Sequence, residues 1–575
     1  MAPHGFGKSV NLEMLRYFLE MPVHSNGSEI KDKKKTRNFQ IFSNLKIMKE
    51  QEFFEKHFAK YPIIFIDYKP LVNVSSYDDF IFKIKEIIHK CFKQHSYLAQ
   101  VRSLWEAGYY DILCFKNYTD SKLYQQLDEY HIKLGLKFLS ELLYEHFKIK
   151  PLALIDEYNS YINGIIFTKN KDISKITNLL KRIHVPFVKN LGRVFSTGVF
   201  YSTTDIDVND FLFLHDHKFS KYYGLIEHEL TEVLNRYTRD KDEVELLTKY
   251  IHKYYNGYKI IKTNSRVYNI YSTLKYLHSQ QTQVNHLVKP NFYDSFLDVF
   301  RTPDIKFEIF QLIDEKSVVL SERNLLLLKE DILAIKSLIA SEQPENINQI
   351  VYALLLQLGY LTYTEHDGIL DGFYILEIPN EEMKNELRSV LNDGVLQQYN
   401  FDMKIINKFN NILDDIYEVT NEKIEFKVLL NTLDSLIQES NFTVSNINDF
   451  QTSLISILRE KFLNVKSIVK EIDGSIFIRL KNQNDVTFFI ETVSMKRRRT
   501  ISPEIMKRCT EKTVKQIIKG YINKVKRFTV NNLICFGICV GVTTFKDGTI
   551  MRYVGLSLSK KFKPSDNIND ITTIT

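Results

Sequence analysis

The first 285 residues contain short apolar runs separated by segments with helical spacing. Residues 61–67 and 151–157 are continuous apolar runs ending in carboxylates, a pattern typical of strands buried on both faces. A third strand is predicted over 193–199. Apolar residues that recur every three or four positions predict helices over 9–20, 78–95, 172–190 and 227–255. Strands that alternate with helices indicate an α/β fold with a parallel sheet.

The pattern changes after residue 285. Residues 286–450 are predicted to be mainly helical, with a β-like insertion at 359–378. Residues 451–563 alternate helices with short strands, which is typical of a small α/β or α+β domain. The helices are predicted over 451–463 and 503–526, and the strands over 467–480, 486–493, 533–543 and 550–558. We therefore predict three domains, 1–285, 286–450 and 451–563, followed by a tail over 564–575.

The composition is that of a globular protein, with 44% hydrophobic and 26% charged residues among 575. No segment reaches the roughly 20 apolar residues that a membrane span needs, so we expect no membrane partner. The five cysteines include no Cys-x-x-Cys pair, which favours a reducing, intracellular compartment, either cytoplasm or nucleus. The sequence gives no indication of the oligomeric state.

Positive charge is concentrated near the C-terminus. The net charge is +7, yet residues 451–563 carry about 23 lysine and arginine residues against about 8 acidic ones. Such an excess predicts an anionic partner, usually nucleic acid. A solvated basic surface without a partner is the alternative.

The chain begins with a phosphate-binding loop, Ala2-Pro3-His4-Gly5-Phe6-Gly7-Lys8-Ser9. Backbone amides at the start of a helix attract phosphate, Lys8 can reach the outer phosphates, and the Ser9 hydroxyl can bind Mg²⁺. The predicted nucleotide-binding residues of the loop are Gly5, Phe6, Gly7, Lys8 and Ser9. Ala2 occupies the position of the usual first glycine. Only Met1 precedes the loop, so we expect the leading strand to be missing and the affinity for nucleotide to suffer.

A second motif, Leu154-Ile155-Asp156-Glu157, has the pattern of the other half of an ATPase site. The apolar strand delivers Asp156 to the carboxyl edge of the sheet, where it can hold Mg²⁺, and Glu157 can polarise the attacking water. Thr197, at the tip of the next strand, is placed to sense the γ-phosphate. Ordinary carboxylates and polar caps at strand ends are the alternative for these residues.

These motifs, in this order, resemble the AAA-ATPase-like domain family. The order continues with Ser196-Thr-Gly-Val199, Tyr255-Asn-Gly-Tyr258 and Val267-Tyr-Asn-Ile-Tyr-Ser272. The resemblance implies a P-loop-type sheet, ATP and Mg²⁺ as cofactors, and a C-terminal PD-(D/E)xK nuclease-like domain. The chain departs from the family at Asn159, because the second motif usually reads Asp-Glu-Tyr-Asp.

The same resemblance points to a degenerate nuclease site. Such a site needs an aspartate on one strand and Glu-x-Lys on the next, since two carboxylates hold Mg²⁺ and the lysine activates water. Here Val493 takes the position of the lysine, and the preceding strand offers no aspartate at the expected place. The residues that match the family pattern are Glu471, Glu491 and Gln516. We therefore expect no nuclease activity.

A run of four cations, Lys496, Arg497, Arg498 and Arg499, follows the strand over 486–493. Consecutive cations contact phosphates without reading the base sequence, so this run is the predicted nucleic-acid contact. A nuclear-import signal or a simple charged loop is the alternative.

The leading hypothesis is an ATP-binding protein that hydrolyses ATP with Mg²⁺ and contacts nucleic acid through its basic domain. The first alternative is a non-catalytic nucleic-acid or protein interaction module that retains the fold. The second, which we do not expect, is an active Mg²⁺-dependent nuclease.

Overall fold

The structure is a computed structural model, and it divides the chain into two compact units, residues 1–387 and 388–575. The residues it describes are 2–106, 108–167, 172–200, 217–261, 263, 265–282, 305, 309, 312–313, 317–339, 347–364, 372–398, 411 and 426–439, and the strands between 468 and 574. None of the helices within these ranges is long and apolar enough to cross a membrane. The predicted domain boundaries at 285 and 450 lie inside the two units and remain predictions.

The first unit contains a three-stranded parallel sheet in the order β1-β2-β3, which confirms the predicted parallel α/β arrangement. The strands are β1 (Ile63–Asp67), β2 (Leu152–Asp156) and β3 (Arg193–Ser196). Asp67 lies in register with Asp156, and Ile155 with Ser196. The carboxyl ends of all three strands therefore meet at one edge.

Nine helices of the described residues accompany this sheet, and the three predicted over 9–20, 78–95 and 172–190 are confirmed as α1, α4 and α9. Helix α4 shows why such segments fold as helices. Ser76 caps its first turn, and Phe80, Ile84 and Ile87 repeat at helical spacing on its buried face. The nine are α1 (Lys8–Leu19), α2 (Arg37–Phe42), α3 (Gln51–His57), α4 (Tyr77–Gln94), α5 (Arg102–Glu106), α6 (Ile112–Thr119), α7 (Glu129–Phe147), α8 (Tyr161–Phe167) and α9 (Ile173–Val188).

A helical layer follows the sheet, as predicted for 227–255. It buries a cluster that includes Leu230, Leu234, Ile251 and Tyr268. Its elements are α10 (His217–Ser220), α11 (Glu227–Tyr237), α12 (Lys241–Tyr255), the hairpin β4 (Tyr258–Lys259) and β5 (Arg266–Val267), and α13 (Ile270–Thr282). This layer brings the start of α13 to the N-terminal loop.

The remainder of the first unit holds a small antiparallel sheet, which confirms the β-like insertion and adds a strand. Its order is β6-β8-β7. The strand β6 has only four residues with alternating burial, too few to separate strand from helix by pattern. The elements are β6 (Val318–Ser321), α14 (Lys329–Ile339), α15 (Ile347–Leu358), β7 (Thr362–Tyr363), β8 (Phe373–Glu377) and α16 (Glu381–Gln398).

The second unit contains a mixed sheet of six strands in the order β14-β13-β12-β11-β10-β9. The strands are β9 (Ile468–Ile472), β10 (Ser475–Arg479), β11 (Asn484–Met495), β12 (Asn532–Thr544), β13 (Ile550–Ser559) and β14 (Thr573–Ile574), and α17 (Phe426–Glu439) precedes them. Among the six described strands of this sheet, β11 and β12 pair in parallel and the other neighbours pair antiparallel.

Most strand predictions for the second unit are confirmed. The interval 467–480 contains two strands, and β14 falls in the predicted tail. Two residues are too short for an alternating pattern, so β14 leaves no signal in the sequence. The helices predicted over 451–463 and 503–526 lie outside the described residues.

Candidate nucleotide site

The N-terminal loop turns through two glycines in the left-handed conformation. The angle φ is +88° at Gly5 and +79° at Gly7, values that disfavour any side chain. Gly7 is the N-terminal cap of α1, which begins at Lys8. A Cβ atom at Gly5 would also lie 2.4 Å from Oδ1 of Asn269, so that position excludes other residues on steric grounds as well.

The carbonyl groups of residues 2–7 all accept hydrogen bonds from protein donors. A trans peptide unit directs its N–H opposite to its C=O, so the N–H groups of residues 4–8 point away from the donors to the preceding carbonyls, while Pro3 has no N–H. A loop in this state presents amides on its other side, which is how backbone binds phosphate. The pairs are Lys8 Nζ to Ala2 O (2.8 Å) and Pro3 O (3.0 Å), Asn269 Nδ2 to His4 O (3.3 Å), Tyr271 N to Gly5 O (3.0 Å), Gly224 N to Phe6 O (3.1 Å) and Asn11 N to Gly7 O (2.9 Å).

Asn269 supports the loop from a position 265 residues away. Its Oδ1 accepts from the amide of Ser272 at 3.1 Å, which caps the first turn of α13, while its Nδ2 donates to His4 O. One carboxamide therefore joins a helix start to the phosphate loop.

Lys8 lies beneath the loop rather than in solvent. Its side chain is 5% exposed, and its Nζ is 3.3 Å from Oε1 of Glu157, whose side chain is 9% exposed. Two opposite charges at this depth stabilise each other, because each would be costly to bury alone. The contact joins the loop to the residue that follows β2.

The ends of β2 and β3 are held together through Thr197. Its Oγ1 donates to Oδ1 of Asp156 and accepts from the amide of Glu157 at 3.3 Å, and its carbonyl accepts from Tyr158 N at 2.9 Å. Glu157 adopts φ +51°, an uncommon conformation for a residue with a side chain. Backbone outliers of this kind persist where the surroundings hold them, and they are frequent at functional sites.

Asn159 stands where the resembled pattern usually has an aspartate, and its side chain holds the backbone that follows β3. Its Nδ2 donates to Phe200 O, and its Oδ1 accepts from Val199 N at 3.2 Å. A carboxylate cannot donate to a carbonyl, so an aspartate at this position could not make the first contact. The amide therefore fixes the chain that leaves β3.

His4 stands beside Lys8 at the solvent side of the loop. The residue is exposed, yet the protein around its ring excludes enough water to favour the neutral form. This desolvation is the larger cause, and the charge of Lys8 the smaller one, that lower the pKa of His4 to about 4. His4 is therefore neutral near pH 7 and adds no charge to the loop.

The structure brings most of the predicted ATPase residues together. Lys8 contacts Glu157, Thr197 contacts Asp156, and Ser9 is exposed on the first turn of α1. The side chain of Phe6 is buried edge-on against Tyr258 at 4.8 Å, so only the backbone of Phe6 can meet a phosphate. The roles of all these residues remain predictions.

Only part of the predicted C-terminal sites falls within the described residues, so these sites remain predictions. Glu471 on β9 is in register with Ile476, and Ile476 with Phe488, three residues before Glu491 on β11. Gln516 and the basic run from Lys496 to Arg499 lie outside the described residues. Within the described part of the chain, no three His, Cys, Asp or Glu side chains cluster as a metal site would require.

Three residues that support the loop were not predicted from the sequence as part of the site: Asn269, Tyr271 and Gly224. Asn269 had a local signal, since an asparagine before a helical run is a common N-cap. Its contact with His4, and the contacts of Gly224 and Tyr271, join segments far apart in sequence, and no local pattern records such pairs.

One comparison with known proteins gives a match. Residues 1–207 match a family model described as predicted AAA-ATPase. The match covers the loop, the three strands and the Asp156, Glu157 and Thr197 cluster, and it suggests that this region can bind ATP. No curated protein matches the chain significantly.

Proposed function

We propose that the loop over residues 2–9 binds Mg²⁺-ATP and that Glu157 assists its hydrolysis. The observation that carries the proposal is the 3.3 Å contact between Lys8 Nζ and Glu157. It joins the cation of the loop to the carboxylates at the end of β2, and parallel α/β sheets bind ligands at that edge. The predicted AAA-ATPase match over residues 1–207 supports ATP as the ligand.

Binding proceeds by exchange of partners at Lys8. In the structure its ammonium group contacts Glu157, Ala2 O and Pro3 O. The oxygens of the outer phosphates offer a stronger, charge-assisted partner, and the three N–H donors of a lysine allow it to turn toward them. Glu157 then loses its counter-ion and becomes available to the water beside the γ-phosphate.

The residues present fit a magnesium ion bound with the nucleotide. Mg²⁺ takes one or two protein oxygens together with phosphate oxygens and water, and Ser9 and Asp156 offer a hydroxyl and a carboxylate. The bound ion supplies charge neutralisation on the phosphates. The hydrogen bond from Thr197 to Asp156 keeps that carboxylate in one orientation.

In the hydrolytic step the oxygen of water attacks the γ-phosphorus, and the bond to the β–γ bridging oxygen breaks. Glu157 orients the water and accepts its proton, while Lys8 neutralises charge on the outer phosphates. Glu157 adopts φ +51° directly after β2, and its carboxylate contacts Lys8 of the loop.

A turnover assay on the full chain tests this proposal. We expect Glu157→Gln to retain ATP binding and to lose turnover by about 100-fold or more, the usual contribution of a positioned base. Exposed Glu52→Gln is the matched control, with turnover equal to wild type. Wild type that binds ATP without hydrolysing it would contradict the enzymatic part and favour the non-catalytic alternative.

A second candidate function, nucleic-acid binding by the C-terminal domain, is favoured by the positive charge concentrated in residues 451–563. We propose that Lys496, Arg497, Arg498 and Arg499 contact phosphates. Replacing all four by alanine should weaken duplex binding and lower the slope of log K against log salt by up to roughly 4, about one unit for each lost contact. Lys34→Ala with Lys35→Ala is the control, and an unchanged slope would contradict the assignment.

A further inference from the structure

Two exposed tyrosines flank the phosphate loop. Tyr222 is 63% exposed and Tyr271 is 57% exposed, although aromatic rings usually gain from burial. Tyr271 lies in the first turn of α13, and Tyr222 lies between α10 and α11. Neither ring is required by the core that these elements form.

Backbone contacts fix both tyrosines next to the loop. The amide of Tyr271 donates to Gly5 O at 3.0 Å. Two residues after Tyr222, the amide of Gly224 donates to Phe6 O at 3.1 Å. The two tyrosines are thus tied to adjacent residues of the same loop.

A short antiparallel pairing aligns the two segments. Leu225 and Tyr268 form a bridge with reciprocal hydrogen bonds of 3.1 and 2.9 Å. Tyr222 lies three residues before Leu225, and Tyr271 lies three residues after Tyr268. Both tyrosines therefore lie beyond the same end of this antiparallel pair. The carbonyl of Tyr222 also accepts from Nδ2 of Asn11, which lies on the first turn of α1.

A lysine accompanies each ring. Lys221 Nζ is 5.1 Å from the ring centre of Tyr222, and Lys275 Nζ is 5.9 Å from that of Tyr271. These cations add positive charge to the segments that contact the loop, which itself contains Lys8. An anionic ligand that carries an aromatic group matches this combination of charge and π-surface.

We propose that Tyr222 and Tyr271 hold the nucleobase of the nucleotide whose phosphates the loop binds. This inference rests on the proposed function, since the loop must first bind the phosphates. The base of a nucleotide is joined to its phosphates through one sugar, so the side chains that hold it must come from segments bordering the loop, as those of Tyr222 and Tyr271 do. Tyrosine has few rotatable bonds, and ordering its ring over a base costs little entropy.

Stacking recognises the face of a base and not its edge. Every base has a π-face, so the two tyrosines favour a nucleotide over a bare phosphate chain without selecting adenine over guanine. ATP and GTP should therefore lose affinity alike when the rings are removed.

The test is equilibrium binding of two probes, Mg²⁺-ATP and Mg²⁺-tripolyphosphate, to the full chain. Tyr222→Ala and Tyr271→Ala should each weaken ATP binding by roughly 5- to 100-fold and leave tripolyphosphate binding within about twofold. Tyr222→Phe and Tyr271→Phe keep the ring, so they should restore most of the affinity that the alanine variants lose. Tyr130→Ala, at a 67% exposed site on α7, is the control.

The outcomes separate this inference from the proposed function. Unchanged ATP affinity in both alanine variants overturns the stacking site while the phosphate loop stands. An equal loss of affinity for ATP and tripolyphosphate also overturns it, because the tyrosines would then act only through the loop. If wild type binds neither probe, the proposed function itself fails.

Discussion

At the scale of single residues, the buried contact between Lys8 and Glu157 explains how two opposite charges are tolerated at one point of the fold. Their side chains are 5% and 9% exposed, and their charged atoms are 3.3 Å apart. Removing one partner leaves the other charge buried without compensation, which typically costs 3–5 kcal/mol. Each charge is thus tolerated in the interior only while its partner, or a ligand that replaces that partner, is present.

Lys8→Ala should therefore lower the free energy of unfolding by about 3 kcal/mol in the absence of nucleotide. The double variant Lys8→Ala with Glu157→Gln should recover most of this loss, because no isolated charge remains. Urea denaturation measures both, with the exposed Lys34→Ala as control. Losses that simply add in the double variant would show that the two residues do not interact.

At the scale of elements, the start of α13 acts as the support of the phosphate loop. Asn269 caps that helix through Oδ1 and holds His4 O through Nδ2. The two functions can be separated, because aspartate retains the acceptor and loses the donor.

Asn269→Asp should preserve the helix cap but weaken Mg²⁺-ATP binding by about tenfold, as expected for the loss of one hydrogen bond of about 1.4 kcal/mol. Asn269→Ala should in addition lower stability by about 1 kcal/mol through loss of the cap. Calorimetric titration and urea denaturation separate the two effects. Equal affinities of Asn269→Asp and wild type would contradict the role of the donor.

The contact between α13 and α16 contains a carboxyl group that responds to pH. Burial, and to a smaller extent the charge of Glu386, raise the pKa of Glu382 to about 7, against the opposing effects of Ser272 and Lys275. Several tyrosines also face this pair of carboxyl groups, namely Tyr250, Tyr255, Tyr258 and Tyr360. The folded state therefore binds a proton that the unfolded state has already released.

Between pH about 4.5 and about 7, this group makes the folded state less stable as pH rises, and the penalty is constant above that window. Glu382→Gln should thus be more stable than wild type by about 3 kcal/mol at pH 8 and equal to it near pH 4. Urea denaturation at both pH values measures this, with exposed Glu330→Gln as control. A gain that does not depend on pH would contradict the assignment.

At the scale of the whole molecule, the first unit extends well beyond the residues that match the family model. Tyr258 donates to Gly359 O at 3.0 Å, and Asn380 donates to Asn256 O at 2.7 Å. Both bonds are buried and join the hairpin β4–β5 region to residues beyond 350. The proposed nucleotide site is therefore part of a body that ends near residue 387.

Two fragments test this extent. A fragment over 1–400 should fold and bind Mg²⁺-ATP within about threefold of the full chain. A fragment over 1–285, the predicted first domain, loses the buried partners of Tyr258 and Asn256 and should be less stable by several kcal/mol, at about 1–3 kcal/mol for each unsatisfied group. Thermal unfolding compares the two, and equal stability would support the boundary at 285.

The sequence predicted the parts of this molecule that local patterns encode. The apolar runs around Ile64 and Ala153 are buried on both faces, so their strands, and the position of Asp156 at a strand end, followed from composition alone. The loop glycines were recognisable because only glycine tolerates their backbone angles.

Long-range pairs could not be predicted. Lys8 and Glu157 were expected to meet phosphate and water, and nothing in either segment indicated that they would contact each other. The contact of Asn269 with His4 spans 265 residues, and helical periodicity records only neighbours within a turn or two. The strand β6 was not predicted, because four residues are too few to show whether apolar positions alternate as in a strand or repeat as in a helix.

The most direct test of the central claim is a calorimetric titration of Mg²⁺-ATP into the full chain and into Lys8→Ala. We expect saturable binding of one ATP by wild type, with a Kd of roughly 1 µM to 1 mM, the range common for enzyme substrates. Lys8→Ala should bind at least about 100-fold more weakly, since the charge-assisted bonds to phosphate are lost. No binding by wild type, or equal binding by both proteins, would contradict it.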